Sequence, residues 1–238
     1  MAKRKNTRQR EIRFQTHGGA RRGAGRPPAA RSGAGVSHSV RAGVSGREPV
    51  LVTLKVRREV WRLRARRAFA RLVPALTLSG RASSREGLIR LVHFSVQRDH
   101  IHLLVEAADN DALSRGVQGL SVRIARALNK LMGRTGKVFK DRYHSRVLGT
   151  PRQVRNALAY VLCNARKHGE VLPARGVDPC SSAAAFDGWA GQIVTSTHEL
   201  ARAAAVAATS ATTWLLRVGW RRAGGLLDPD HRPGPLPA

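Results

Sequence analysis

The chain has 238 residues, with 43 Lys and Arg against 15 Asp and Glu, a formal net charge of +28. A core of ordinary size leaves that excess on the surface or in tails, where it attracts polyanions, nucleic acid first and an anionic membrane second. No unbroken apolar run is long enough to span a bilayer, MAKRKNTRQREIRF lacks the apolar centre of a secretory signal, and Cys163 and Cys180 form neither a disulfide framework nor a metal-finger spacing, so a reducing cytoplasm is the simplest expectation.

Up to about Arg47 there is a single acid, Glu11, among many Arg, Gly and Ser. Such a stretch cannot bury enough apolar surface to offset the entropy of ordering it, so residues 1–48 are expected to be a disordered basic tail. Within it, the Gly25-Arg26-Pro27 core of GGARRGAGRPP looks like an AT-hook, an extended element that lays Arg26 into a narrow minor groove. A generic basic linker has the same composition.

Order is expected from Pro49. Val50–Val56 partly alternates and is rich in β-formers, which reads as a strand. Glu59 to about Leu72 reads as a basic amphipathic helix with Val60, Leu63, Phe69 and Leu72 inward. Pro74–Arg85 reads as irregular. Leu88–Val96 and His100–Glu106 are strand-like and joined by a turn at Gln97-Arg98-Asp99, an antiparallel hairpin. A long helix follows over Asp111–Met132 and stops at Gly133. Gly136–Leu148 reads as one extended strand with a basic face. Thr150 is a good N-cap and Pro151 suits the first helical position, so a last core helix runs to about His168 and stops at Gly169. This order is an α+β plan, a ferredoxin-like or RRM-like antiparallel sheet with helices packed on one face. Residues 173–238 read as a partly helical extension, with Glu199 to about Ala208 and Thr213–Arg222 helical and a Pro-rich end from Asp228.

The chemistry centres on RDHIHLLVE. Residues i and i+2 of a strand share a face, so His100 and His102 project together, with Ile101 and Leu103 opposite. Two imidazoles at this spacing can bind one divalent cation. His-x-His alone is weak, because most such pairs are half-exposed surface histidines. Here the apolar flanks indicate a core strand. Leu104 at the next same-face position argues against the histidine-triad nucleotide hydrolases. On the last core helix, Val154, Leu158, Val161, Leu162 and Ala165 form an apolar face, and Gln153, Asn156, Tyr160, Asn164, Lys167 and His168 fall nearer the other side. Tyr160 and Asn164, at i and i+4, stack on one face. A tyrosine hydroxyl can be a nucleophile, and an amide oxygen can ligate a hard divalent cation. An arbitrary Tyr-x-x-x-Asn is more often an anchor and a solvated amide.

In combination these residues resemble the HUH single-tyrosine transposases of bacterial insertion sequences, and more closely their REP-associated relatives. Lys137–Arg146 resembles the segment that precedes the tyrosine helix in that group. The resemblance covers roughly Pro49 to Gly169, and residues 49–172 are expected to form the catalytic domain. It implies a Mg²⁺ or Mn²⁺ ion on His100 and His102, Asn164 as third ligand, and Tyr160 as a nucleophile cutting single-stranded or hairpin DNA through a 5′-phosphotyrosine link. Relatives often have Asn before the first histidine, where this chain has Asp99. The chain's other tyrosine, Tyr143, lies beside His144 and between Arg142 and Arg146, and is the rival nucleophile.

The expected DNA contacts are Arg26, Arg123, Arg126, Lys137, Lys140, Arg142, Tyr143 and Arg146, with Lys130 and the arginines at 62, 64, 66 and 67 adding backbone neutralisation. Phe139, Tyr143 and Trp189 are the candidates for base stacking. The resemblance implies a cytoplasmic, nucleoid-associated transposase acting on DNA without a membrane, and leaves open homodimer or monomer. Two other functions fit the same residues: a DNA-binding module of this fold without cleavage, and another His-x-His metal-dependent phosphodiesterase that does not need Tyr160.

Overall fold

The structure is a computed structural model that describes residues 43–85 and 87–234, so the AT-hook-like segment and Arg26 lie outside the described residues. Four strands, β1 (Val50–Lys55), β2 (Ile89–Val96), β3 (His100–Ala107) and β4 (His144–Val147), form one antiparallel sheet in the order β2-β3-β1-β4. β3 is therefore an inner strand, paired on both edges. Its register sets Thr53 of β1 against His102, and Ser95 of β2 against His102 on the other side.

The two sheet faces carry separate cores. Val50, Val52, Leu54, Ile101, Leu103, Val105, Phe94 and Val96 pack with α1 (Arg66–Arg85) and α2 (Asn110–Met132), the helical layer expected on one face. Leu51, Leu104 and Val92 face the other way and pack under α3 (Pro151–Leu162), so this second face is covered as well. A β-bulge between Leu91 and His93 shifts the phase of β2. It explains why IRLVHFSV does not alternate cleanly. Ile89 and Leu91 face the α1/α2 core before the bulge, and Phe94 and Val96 face it after.

Several helices depart from the sequence expectation. The first is expected over Glu59–Leu72 but runs over Arg66–Arg85. Residues just before it are committed elsewhere: the Leu63 amide donates to Arg98 O at 2.9 Å, and Arg64 donates to Val96 O and forks onto Asp178 at 2.9 Å. Arg64 is thus a 12 % exposed tie between chain segments, which removes it from the expected DNA contacts. Pro74–Arg85, expected to be irregular, is helical. Pro74 removes one backbone bond on an exposed face, while Leu72, Val73, Ala75 and Leu76 bury the opposite one. Gly136–Leu148 is not one strand. β4 holds only His144–Val147, and Phe139 makes a lone bridge to Val56, because the Arg57 and Lys140 amides bind Val138 O and Lys55 O in a turning segment.

Local caps follow the sequence closely. Asp109 caps α2, which ends on Gly133 at φ 61°. Thr150 and Gln153 form a reciprocal capping box at the start of α3, with Pro151 at the first position. The helix expected through His168 breaks at Cys163, where φ is −105° and ψ 7°, and resumes as the short α4 (Asn164–Lys167) before Gly169 at φ 80°. In the C-terminal extension, α5 is Glu199–Ala205 and α6 only Trp214–Arg217, followed by a 3₁₀ turn over Gly219–Ala223. Gly219 sits flat on the Trp214 ring, where a Cβ would come within 2.6 Å of it. The buried carboxylate of Glu106 anchors this extension by accepting from the Thr212 and Thr213 amides at 2.8–3.0 Å. Trp189 is buried and its indole donates to Ala183 O at 2.9 Å, so it serves the core rather than base stacking.

His93 on β2 is buried, contacts Ser182 Oγ through Nδ1 at 3.2 Å and meets the Phe186 ring edge-on. Burial pushes it down to about 4. The unfolded chain therefore takes up this proton first, near pH 6.5, so stability is intact above that value and falls as pH drops toward 4. Between pH 7 and pH 5 this one group costs about 2 kcal/mol. Urea unfolding of His93→Phe at the two pH values is expected to remove that share of the acid loss. An unchanged acid limb would show that His93 is not held neutral.

Candidate active site

The site is built on the sheet face that α3 covers. Reading across the strands, β4 contributes His144, β1 Thr53, β3 His102 and β2 Ser95, all in one register row. Two rows along, on the same face, Lys55 pairs with His100. The central residue, His102, is 4 % exposed. Its Nδ1 meets Thr53 Oγ1 at 3.0 Å, and its Nε2 is buried without a hydrogen-bond partner. His100 Nδ1 meets Asp99 Oδ1 at 2.7 Å, and Asp99 also pairs with Lys55 at 3.5 Å. Burial would raise Asp99, but the hydrogen bond and charge of His100 and the charge of Lys55 outweigh it and hold the carboxyl below its ordinary value. Each imidazole is therefore fixed through Nδ1 by an outer partner, the arrangement that orients a metal-ligating histidine and leaves Nε2 for the ion.

The two rings lie 4.6 Å apart, edge to face. Tyr160 of α3 meets the His102 ring at 4.9 Å, and His168, just past α4, meets the His100 ring at 5.3 Å. Lys167 Nζ stands 4.9 Å over the Tyr160 ring. Burial first, then the positive charges of His100, His168 and Lys167, push His102 down to about 3. The imidazole is neutral at physiological pH, as a ligand must be. Burial raises the Tyr160 phenol above its ordinary value. Forming a phenolate here therefore needs help from a positive charge.

Asn164 is fully buried, and both its amide nitrogen and oxygen lack a hydrogen-bond partner. A buried amide left unpaired is costly, and folded proteins rarely carry one without a use for it. Its amide oxygen and the orphaned His102 Nε2 are both donor types that a divalent cation takes. Among the described residues no three His, Cys, Asp or Glu side chains stand ready-made around one ion. The fit rests on two imidazoles and an amide. The break at Cys163 separates Tyr160 from Asn164, so they do not share one unbroken helix as the i, i+4 spacing implies.

The rival tyrosine lies elsewhere. Tyr143 packs on the α1/α2 core with Val147, while the adjacent His144 and Arg146 take the register positions of the site face. Of the expected DNA contacts, Arg146 thus shares the Tyr160 face. Lys137 and Lys140 are exposed beside the end of β1, close in the fold to the Asp99 turn. Arg142 is exposed just before β4. Arg123 and Arg126 are on the other side of the sheet. With Arg67, Arg71 and Lys130 they line a groove of about 590 Å³ between α1 and α2, floored by apolar side chains.

Sequence reasoning did not single out Thr53, Asp99 or His168 for a role at this site. Thr53 could be recognised only from the β1–β3 register. His168 was visible as a member of the polar side of its helix, but its approach to His100 depends on the break at Cys163.

The family model described as "Transposase IS200 like" matches residues 50–163. A solved REP-associated tyrosine transposase bound to a REP hairpin has the same fold, with a TM-score of 0.50 and 15 % identity, over 68 % of this chain and 95 % of that one. No curated protein matches the chain. Among the described residues no helix is long and apolar enough to cross a membrane.

Proposed function

We propose that this chain, whose residues 50–163 match the model of IS200-like transposases, cuts and rejoins single-stranded or hairpin DNA, with Tyr160 as the nucleophile. The observation that carries this reading is the 4.9 Å approach of the Tyr160 ring to His102, whose buried Nε2 has no other partner. The Tyr160 oxygen attacks phosphorus and loses its proton. The bond from phosphorus to the 3′-oxygen breaks, and that oxygen leaves as a 3′-hydroxyl after gaining a proton. The DNA 5′ end remains as a phosphotyrosine ester. The bond energy kept in that ester lets another 3′-hydroxyl reverse the step without ATP.

His100, His102 and Asn164 would hold Mg²⁺ or Mn²⁺. When bound, the ion would supply charge withdrawal from a phosphate oxygen and orientation of the scissile group. The ligand role requires His102 Nδ1–H to donate to Thr53 Oγ1, which leaves the Nε2 lone pair free. Lys167, over the Tyr160 ring, offsets the charge that burial disfavours. The REP hairpin of the solved relative supports a folded single strand as the substrate class, and this reading puts the chain on chromosomal DNA in the cytoplasm. The test is incubation with a labelled hairpin oligonucleotide and Mg²⁺ or Mn²⁺, followed by a denaturing gel. A covalent adduct supports the reading. Cleavage without an adduct would favour a phosphodiesterase, and binding without either would favour a non-cleaving DNA-binding module.

Five cations, Arg67, Arg71, Arg123, Arg126 and Lys130, line the groove between α1 and α2, and we propose it as a seat for the DNA backbone. Arg126→Ala with Lys130→Ala is expected to weaken hairpin binding about equally across sequences. The slope of log affinity against log salt should fall by about one per lost contact. Adduct formation at saturating DNA should persist. An unchanged salt slope would remove the groove from the DNA path.

A further inference from the structure

We infer that His168 is an additional ligand of the cation held by His100, His102 and Asn164, and that the site prefers a borderline transition ion such as Mn²⁺ or Co²⁺ to Mg²⁺. The inference rests on the cation site proposed above but goes beyond it. His168 lies past the residues that match the transposase model, 50–163.

The geometry is a run of three imidazoles joined through His100. His100 stands between two other rings, His102 at 4.6 Å and His168 at 5.3 Å, both meeting it edge to face. With a metal–nitrogen distance of about 2.1 Å, rings on one ion have centroids at about these separations. His100 and His102 are each fixed through Nδ1 by an outer partner, whereas the described contact of the His168 ring is the one with His100. Its ring can therefore turn about its side-chain torsions to present a nitrogen. That rotation is needed, because the three imidazoles do not stand ready-made around one ion. Backbone placement supports the move. His168 caps α4, its amide donating to Asn164 O at 3.2 Å, and the chain then turns away at Gly169 with φ 80°. Asn164 and His168 thus come to the site from the two ends of one short turn.

The donor set decides the ion class. Mg²⁺ takes oxygen ligands in a strict octahedron and keeps several waters, usually with one or two carboxylates. Three imidazole nitrogens and one amide oxygen suit a borderline transition ion and leave two octahedral positions for phosphate or water. The nearest carboxylate, Asp99, is already held by His100 and Lys55.

The experiment uses the full chain without DNA. Co²⁺ is titrated by its visible d–d absorption, and Mg²⁺ and Mn²⁺ by the rise in Tm. Wild type is expected to bind Co²⁺ and Mn²⁺ more tightly than Mg²⁺. His168→Ala should weaken Co²⁺ at least tenfold, on the scale that loss of a supporting group has at metal sites, and change Mg²⁺ by less than twofold. His102→Ala should lose all three ions. The metal-free Tm of His168→Ala should match wild type, because the side chain is exposed. Co²⁺ affinity within twofold of wild type in His168→Ala, while His102→Ala abolishes binding, overturns this inference alone. Unchanged affinity in both variants overturns the cation site as well.

Discussion

Tyr160→Phe is expected to bind hairpin DNA normally, to bind the cation normally, and to form no covalent adduct, a loss on the order of 10⁴-fold or more in cleavage. The side chain loses one oxygen and keeps its ring, so the 4.9 Å edge contact with His102 and the Lys167 ammonium over the ring are retained. Stability should change by no more than about 1 kcal/mol, the scale of one hydroxyl hydrogen bond. Tyr143→Phe is the matched control. Its ring packs on the α1/α2 core, on the sheet face opposite His100 and His102. Cleavage by that variant should stay within a few-fold of wild type. The adduct gel, with circular dichroism to confirm folding, checks both variants. Loss of the adduct in Tyr143→Phe with retention in Tyr160→Phe would reverse the assignment.

The difference between the two tyrosines shows what the sequence could and could not tell. Signals that act within a few residues were readable. Gly133 ends α2 in the left-handed region, and Thr150 with Gln153 caps α3. The alternation of β3 put His100 and His102 on one face and Ile101 and Leu103 on the other. What depended on pairing was not readable. Thr53 becomes the His102 partner only through the β1–β3 register, and β4 presents Arg146 rather than Tyr143 to the site through the register of Val50 with Val147. Pro74 argued for irregular chain, yet tertiary burial of Leu72, Val73, Ala75 and Leu76 overrides the loss of one exposed backbone bond. Arg64 looked like one more surface cation. Its carboxylate partners, Asp178 and Glu170, lie more than a hundred residues further along the chain, and nothing local announces them.

Asn164→Leu is expected to move stability and activity in opposite directions. In the wild type both amide atoms are buried without a partner, and Asn164 itself is 0 % exposed. Each unsatisfied buried polar group costs roughly 1–3 kcal/mol. Leucine has the same branching and no polar atom, so the variant should gain about 1–3 kcal/mol, read as a rise in Tm of several degrees. Asn164→Ala removes the unpaired atoms without adding volume, and guards against the extra bulk of leucine. Both variants should lose at least 10²-fold in adduct formation and most of the Tm increase that Mn²⁺ gives wild type. A purely structural residue behaves otherwise. Leu158→Ala, in the preceding helix α3 and in the core of that sheet face, should lower stability by about 2–5 kcal/mol and should not raise Tm under any condition. Stability kept at a cost for the sake of a ligand is what a functional residue shows and a packing residue does not. If Asn164→Leu and Asn164→Ala are both less stable than wild type in the absence of metal, the amide is satisfied within the fold. If either keeps full adduct formation, Asn164 is no ligand and the cation must be held by the histidines.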